Sequence, residues 1–388
     1  MKHPLIYLDN AATTFPKPPS VVNEVMRCMT NYCGNPGRSG HALSLEASKK
    51  IYECREGLAR MFGISNPTNI VFTPNTTYAL NIAVSAFARK KTHILISDME
   101  HNSVLRTVNS LTKQGIEYDI FRVDPYDKQK TLLSIKQGLR SNTSLIVCTH
   151  VSNICGIALP IYEIGLFCKK MGLKFIVDGA QSAGTHKIDV EKDNIDALCC
   201  PGHKGLYGPQ GTGFIVFSDK YSEEKIIKKL SPFIYGGNGV NSADIQMPDI
   251  LPERFEGGTL NTPAIAGLCE GVRFVADKTE EAIFDHTCRL YRRALDMIST
   301  LPETTVYCGE LPQSSCLLFN INGMDSDTVA DLLNDNGICV RAGLHCAPLA
   351  HKKLKTLKGA VRVSFSCFNT LTEPEYLYSV LKNIIFTK

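Results

Sequence analysis

An aspartate and a lysine of this sequence each follow a short apolar run, a setting in which the two can do chemistry together. Asp178 ends the run 175–177, and Lys204 lies in a glycine-rich segment after the run 197–200. A lysine amine can form a Schiff base with the aldehyde of pyridoxal phosphate, and a carboxylate keeps the pyridine nitrogen protonated, so that the ring accepts electrons from a carbanion. The pair therefore predicts a pyridoxal phosphate enzyme that acts on an amino acid.

Other polar residues at strand ends are candidates for binding the rest of the cofactor and the substrate. Thr76 and Thr77 open a helix, where N–H groups and hydroxyls suit a phosphate, with plain N-capping as the alternative. His101 can stack on a flat ring and move protons, or it is a surface histidine at a helix start. Asn153 either hydrogen-bonds the ligand or forms a turn. Gln181 can donate to the pyridoxal ring oxygen.

Two downstream residues point to the substrate. Arg362 lies within an apolar strand, where an unpaired charge is costly, and its guanidinium suits a substrate carboxylate. The alternative is a buried salt bridge with an acid of the protein itself. Cys346 lies beside His345 in a polar, glycine-containing loop, which predicts an accessible, activatable thiol.

Short β-branched runs alternate with helical periodicity through the middle of the chain. This alternation predicts an α/β fold with a mainly parallel sheet that helices cover on both faces. Ligands of such sheets bind beyond the carboxyl ends of the strands, where the candidate residues fall. The seven predicted strands are 70–72, 93–96, 118–122, 145–149, 174–178, 197–200 and 214–217.

The pattern changes after residue 260, where a long helical stretch over 263–301 is followed by strand–helix units. We therefore predict a large cofactor-binding α/β domain over 15–262. A smaller α+β domain over 263–388 would carry the Cys346 loop, with residues 1–14 packed nearby. The boundary would fall in or near the long helix.

The composition narrows the classes of function. The chain has 388 residues, 44% of them hydrophobic and 21% charged, with a net charge of +4. Such a small charge argues against nucleic acid or a membrane surface as a partner. We find no signal-peptide core and no apolar run approaching about 18 residues, so we expect a cytoplasmic protein without a spanning helix.

The sequence has fifteen cysteines at irregular spacing, without a Cys-x-x-Cys pair. This pattern favours buried, reduced thiols in a cytoplasmic protein, and it supports no zinc site or other metal site. Six cysteines within apolar segments illustrate the expectation: Cys54, Cys148, Cys168, Cys199, Cys200 and Cys269.

Nearly end to end, the sequence resembles the class V aminotransferases of the fold-type I pyridoxal phosphate enzymes, and within them the cysteine desulfurases. The matching segments are 7–14, 35–41, Thr76–Thr77, 99–101, 177–181, 202–204, 256–262, 341–346 and Arg362. The segment Arg341-Ala-Gly-Leu-His-Cys346-Ala is similar to that of the desulfurases whose cysteine lies on a short, ordered loop.

The resemblance implies roles for single residues. Lys204 would be the Schiff-base lysine and the base at the substrate α-carbon, and Cys346 the nucleophile that takes the sulfur. Asp178, Gln181 and His101 would contact the cofactor ring. Thr76, Thr77 and His203 would contact its phosphate, together with Thr259 from the partner subunit of a homodimer. The substrate would contact Arg362, Asn153, Arg341, Asn10 and Ala11.

The implied reaction converts L-cysteine to L-alanine and leaves a persulfide for an acceptor protein, as in iron–sulfur cluster assembly. Pro201 departs from the family, which usually has a phosphate-binding serine or threonine there, and Gly205 lengthens the turn after Lys204. Alternatives are a selenocysteine lyase acting on L-selenocysteine, another class V aminotransferase or lyase, and a non-catalytic sulfur-relay scaffold.

Overall fold

The computed structural model of the chain describes residues 5–37, 40–240, 243–307 and 313–387. Within these residues the strands are β1 (Ile6–Tyr7), β2 (Ile70–Thr73), β3 (His93–Ser97), β4 (Glu117–Phe121), β5 (Thr143–Thr149), β6 (Lys174–Asp178), β7 (Ala197–Pro201), β8 (Gly213–Phe217), β9 (Thr304–Tyr307), β10 (Cys316–Ile321), β11 (Ile338–Cys339), β12 (Arg341–Gly343) and β13 (Ala360–Ser364). The α-helices are α1 (Pro19–Arg27), α2 (Ala42–Phe62), α3 (Thr76–Phe87), α4 (Asn102–Leu111), α5 (Lys128–Gly138), α6 (Ile161–Met171), α7 (Glu224–Ile227), α8 (Thr262–Lys278), α9 (Glu280–Ile298), α10 (Ser326–Asp335), α11 (Pro348–Lys353) and α12 (Thr372–Phe386). Shorter 3₁₀ or π segments occupy Cys28–Tyr32, Pro67–Asn69, Thr112–Gln114 and Asp219–Ser222.

Seven strands form one sheet in the order β2-β8-β7-β6-β5-β3-β4. Strand β8 runs antiparallel to both of its neighbours, and the remaining neighbouring pairs are parallel. All seven strands predicted from the sequence are present in this sheet. The predicted α/β class is therefore confirmed.

The sheet is covered on both faces, which explains why its strands lack an alternating pattern. Strands β2, β3, β7 and β8 are buried over their whole length. A strand buried on both faces is mostly apolar along its length. One apolar cluster joins α2, α6 and α8 to the sheet, and a second joins α3 and α4 to its other face.

The carboxyl ends of β2, β3, β5, β6 and β7 share one edge of the sheet, because these strands run in the same direction. Thr149 at the end of β5 pairs with Asp178 at the end of β6, and Asp178 pairs with Cys199 in β7. The polar residues that follow these strands in the sequence therefore meet at this edge.

The C-terminal part contains a second, antiparallel sheet in the order β12-β13-β10-β9. In this sheet Arg341 lies opposite Arg362. The N-terminal strand β1 pairs with β11, so the segment around Asp9 is held beside β13 by the backbone bond from Ser364 to Leu8. This pairing brings the N-terminal segment to the site. The predicted domain division at residue 262 stays a prediction.

The single long helix predicted over 263–301 is wrong, because the structure has two helices there, α8 and α9. Thr279 separates them with a φ of 68°, and its side-chain oxygen accepts a hydrogen bond from the Ala282 N–H group. The hydroxyl thus caps α9, and the left-handed residue turns the chain. No helix in the described ranges is long and apolar enough to cross a membrane.

Candidate active site

Asp178 and Lys204 stand at the ends of adjacent strands, at the edge where the loops meet. Asp178 is almost fully buried and accepts a hydrogen bond of 2.9 Å from the Ala180 N–H group. Burial raises the pKa of Asp178 to about 6, against the lowering effect of Lys204. Burial also lowers the pKa of Lys204 to about 8, and Asp178 acts in the opposite direction. Both groups can therefore change their protonation state near neutral pH.

The turn that carries Lys204 packs tightly against the turn that follows Asp178. A Cβ on Gly205 would lie 2.3 Å from the Ala183 carbonyl oxygen, and Gly184 opposite has a φ of +83°. Only glycine allows this close approach. Gly205, a departure from the family pattern, therefore fits a specific contact that keeps Lys204 near Asp178.

The N-terminal segment holds the other side of the lysine turn. The Thr14 hydroxyl donates to the carbonyl oxygens of His203 and Lys204, at 3.2 and 3.0 Å. The Lys17 ammonium donates to the His203 carbonyl at 2.8 Å. Burial lowers the pKa of Lys17 to about 8. Sequence analysis did not identify Lys17, because its contact joins residues 186 positions apart.

The start of α3 and His203 form the end of the site that suits a phosphate. Asn75 caps α3 by accepting a hydrogen bond from the Tyr78 N–H group. Thr76 Oγ1 and His203 Nδ1 are buried, and neither has a hydrogen-bond partner among the described residues. Unpartnered buried polar atoms are rare, so these two atoms fit an anion such as a phosphate. Pro201, buried at the end of β7, offers no hydroxyl there.

His101 is a neutral imidazole in this site. Its Nδ1 accepts from the Ser103 N–H group at 3.0 Å and lies 2.8 Å from the Ser103 hydroxyl. Burial, followed by the charge of Lys204, lowers the pKa of His101 to about 4. The ring hydrogen is therefore on Nε2. His101 thus offers a flat face and a single N–H donor.

Ser103 lines the same cavity, although sequence analysis did not identify it. Its hydroxyl lies 2.9 Å from the Thr77 hydroxyl and 2.8 Å from His101 Nδ1. It joins Thr77, at the end of the site that suits a phosphate, to His101 in one hydrogen-bond network. The sequence signal that would have found Ser103 is its place two residues after the capping residue of α4.

Arg362, expected to bind a substrate carboxylate, is bonded to groups of the protein itself. Its guanidinium is buried, with Nη2 donating to Asp9 at 2.6 Å and Nη1 to the Asn153 carbonyl at 2.8 Å. The internal salt bridge, treated as the alternative in the sequence, is therefore present. Arg362 Nε is buried and has no hydrogen-bond partner among the described residues. A substrate carboxylate would take this donor or replace Asp9.

The loop before α11 presents Cys346 to solvent. His345 and Cys346 have φ angles of 48° and 56°, in the left-handed region. The loop is tied down at two carbonyls: Asn102 N–H donates to that of Cys346 and Asn153 Nδ2 to that of His345, both at 2.7 Å. Arg341 Nη2 lies 4.0 Å from Cys346 Sγ. The prediction of an exposed thiol is confirmed.

One cavity of about 110 Å³ brings together eight of the predicted site residues. Ala11 lies next to it, since its carbonyl accepts from Gln181 Nε2 at 3.0 Å, whereas Asn10 Nδ2 donates to the Ser364 carbonyl at 2.9 Å. Thr259 instead lines a separate cavity beside Arg55. Its assignment to a partner subunit stays a prediction. The eight residues are Thr76, Thr77, His101, Asn153, Asp178, Gln181, His203 and Lys204.

The chain is similar to known proteins over almost its whole length. The family model for class V aminotransferases matches residues 6–377. A probable cysteine desulfurase of Methanothermobacter thermautotrophicus is 32% identical over 98% of this chain and 94% of its own length. A cysteine desulfurase of Haloferax volcanii is 30% identical over 97% of this chain and 89% of its own. The chain belongs to the class V aminotransferase family.

A solved structure is similar over almost the whole chain. The apo structure of cysteine desulfurase from Thermococcus onnurineus has a TM-score of 0.90 and 30% identity, covering 99% of this chain and 95% of that one. The fold is therefore that of a fold-type I pyridoxal phosphate enzyme. The two relatives named above and the Thermococcus onnurineus structure are all described as a cysteine desulfurase, the Methanothermobacter relative as a probable one.

Thr76→Val is expected to weaken pyridoxal phosphate binding about 10- to 100-fold, because a hydrogen bond to a charged group contributes about 1.5–3 kcal/mol. Equilibrium dialysis of the cofactor measures the change. The matched control is Thr287→Val, which removes a buried hydroxyl that bonds only its own helix, at Phe284. If the two variants bind the cofactor equally well, Thr76 does not contact the phosphate.

Proposed function

We propose that this protein is a pyridoxal phosphate-dependent cysteine desulfurase, which converts L-cysteine to L-alanine and holds the sulfur as a persulfide on Cys346. The observation that carries the proposal is the exposed Cys346 loop tied to the Lys204 cavity. Asn153 lines that cavity and holds the His345 carbonyl. An aminotransferase has no need of a thiol at this place.

The donors of the cavity match the parts of the cofactor. Asp178 would hold the ring nitrogen, Gln181 the ring hydroxyl and His101 the ring face. Thr76, Thr77 and His203 would hold the phosphate, joined by Thr259 of the partner subunit in a homodimer. The bound cofactor supplies an electron sink that makes the α-hydrogen of an amino acid acidic.

Lys204 is the base at the substrate α-carbon. An amine accepts a proton only in its neutral form, and burial lowers the pKa of Lys204 to about 8. A substantial fraction of Lys204 is therefore neutral near physiological pH. Asp178, whose pKa is raised to about 6 by burial, still ionises below neutrality and can hold a protonated ring nitrogen.

Cys346 acts in the second half of the reaction. Its thiolate attacks the substrate sulfur, so that a sulfur–sulfur bond forms as the carbon–sulfur bond breaks and its electron pair stays on carbon. Protonation of that carbon gives alanine, and one sulfur atom remains on Cys346. The Arg341 guanidinium lies beside this sulfur, with Nη2 4.0 Å from Sγ.

The persulfide requires an acceptor protein, and an exposed loop gives such a partner access. The cysteines are consistent with a reducing, cytoplasmic setting. All six that the sequence predicted as buried are buried, and every cysteine of the described residues is free. The sulfur would pass to an acceptor such as a scaffold for iron–sulfur clusters.

A steady-state assay of alanine release tests the function. L-cysteine is expected to support turnover with a reducing thiol, and little turnover without it, because the persulfide must be discharged. L-selenocysteine in a parallel assay separates the desulfurase from a selenocysteine lyase. Amino transfer to a keto acid, in place of alanine release, would contradict the proposal.

Arg362→Gln is expected to raise the KM for L-cysteine about 10- to 100-fold with a smaller change in kcat, since a charge-assisted contact to the carboxylate contributes about 1.5–3 kcal/mol. The control is Arg254→Gln, at another buried arginine paired with an acid, Asp249. Equal KM values in both variants would show that Arg362 serves only its salt bridge with Asp9.

A further inference from the structure

Two stacked imidazoles lie buried behind the Cys346 loop, and the proposed reaction uses neither. His345 is 3% exposed and His351, in α11, is fully buried. Their ring centroids are 5.4 Å apart and the rings are nearly parallel, at 9°. His345 Nδ1 lies 3.3 Å from His351 Nε2. This buried pair adjoins the proposed nucleophile, and its contacts bear on the geometry of the Cys346 loop.

Hydrogen-bond partners lie on both sides of this pair. His345 Nε2 lies 3.2 Å from the Arg341 carbonyl, which only accepts, so Nε2 carries the ring hydrogen. Burial lowers the pKa of His345 to about 3, and its ring is neutral. His345 Nδ1 therefore carries no hydrogen, and it faces His351 Nε2 at 3.3 Å. His351 Nδ1 lies 2.7 Å from the Thr356 hydroxyl and 3.1 Å from the Thr356 carbonyl oxygen.

The chain of hydrogen bonds from Thr356 through His351 and His345 ends on the backbone of Arg341. These hydrogen bonds hold the Cys346 loop on its buried side, while Asn153 and Asn102 hold the same loop through its His345 and Cys346 carbonyls. His345 and Cys346 keep left-handed φ angles, which non-glycine residues adopt only where the surroundings determine them. The two imidazoles are part of those surroundings.

We propose that His351 is a positioning residue for the persulfide step: through His345 it holds the left-handed Cys346 loop and the Arg341 backbone in the geometry for sulfur transfer. This inference rests on the proposed function, because it assigns a role within that reaction. It requires no contact between His351 and the substrate, and it leaves the Lys204 half of the reaction independent of His351.

The test compares the two halves of the reaction in the holoenzyme. Sulfur transfer is measured as persulfide on Cys346 in a single turnover with L-cysteine. The Lys204 half is measured as exchange of the L-alanine α-hydrogen in D2O, which needs no thiol. His351→Leu is expected to slow persulfide formation about tenfold or more and to leave exchange within about twofold, because small misplacements of reacting groups are costly.

Three further variants separate positioning from loss of a buried side chain. His351→Gln keeps a hydrogen-bonding side chain toward His345 and is expected to restore most of the rate. Thr356→Val removes the hydroxyl beside His351 Nδ1 but keeps the Thr356 carbonyl at the same nitrogen, and it is expected to cause a smaller loss of the same kind. His93→Leu is the matched control, because His93 is also fully buried and 2.8 Å from a threonine hydroxyl, that of Thr143.

Amide hydrogen exchange of residues 341–347 in the cofactor-free protein gives a readout without activity. Faster exchange there in His351→Leu, and not in His93→Leu, supports the inference. Wild-type persulfide rates in both His351→Leu and Thr356→Val would overturn it, as would equal losses in both halves of the reaction. If the wild type forms no persulfide on Cys346, the proposed function fails, while the exchange data still decide whether His351 holds the loop.

Discussion

Cys346→Ser is expected to abolish sulfide release from L-cysteine, with kcat falling at least about 10³-fold, while the cofactor absorbance remains. A hydroxyl is a far weaker nucleophile than a thiolate and cannot form the persulfide. Cys346 does not line the cavity that holds Lys204 and Asp178, so cofactor binding does not depend on its sulfur. The loss would therefore fall on the second half of the reaction alone.

The measurement is sulfide release in the presence of a reducing thiol, together with the visible spectrum of the protein. Cys33→Ser is the control, because Cys33 is also exposed but lies outside the Cys346 loop. The L-alanine α-hydrogen should still exchange in D2O in the Cys346→Ser protein. Undiminished sulfide release from that protein would rule out Cys346 as the sulfur carrier.

Lys204→Ala is expected to remove both halves of the reaction, lowering turnover at least about 10³-fold, because positioned general bases contribute about 10²–10⁴-fold and the covalent link to the cofactor is lost as well. The visible absorption band of the lysine-bound cofactor should disappear. Exchange of the L-alanine α-hydrogen should stop too, which distinguishes this variant from Cys346→Ser.

Lys174→Ala is the control for Lys204→Ala. Lys174 begins the strand that ends at Asp178, and it pairs with Asp196 at the far end of the sheet. Its loss should leave the absorption band and the exchange unchanged. A band retained in Lys204→Ala would place the covalent link to the cofactor on another lysine.

Much of the large sheet could be predicted from the sequence, because all of its strands except the edge strand β4 contain a short apolar run. Strand β6 ends at Asp178 and β7 is followed by Lys204, so the parallel arrangement alone brings the two residues to one edge. Thr76 and His101 fall at the same edge for the same reason. These predictions needed only local pattern and strand direction.

Contacts between distant segments could not be predicted. The ion pair of Arg362 with Asp9 joins residues 353 positions apart and depends on the pairing of β1 with β11. Nothing in the local sequence of β13 indicates it. The break at Thr279 was missed because helical periodicity continues on both sides of a single left-handed residue.

The residues that hold the site residues in place were even harder to predict from the sequence. His351 looks like one of several basic residues at the end of a short helix, and only the fold shows it stacked on His345. Ser103 and Lys17 likewise act through hydrogen bonds to residues already identified. Sequence patterns predict the residues that react or bind a ligand more readily than the residues that position them.

The mass of the Cys346 peptide after a single turnover tests the central claim most directly. Holoenzyme is mixed with an equimolar amount of L-cysteine without a reductant, the thiols are blocked, and the protein is digested for mass spectrometry. The account predicts one added sulfur atom on Cys346 and an equal amount of L-alanine. Alanine release with Cys346 unmodified, or with the sulfur on another cysteine, would contradict it.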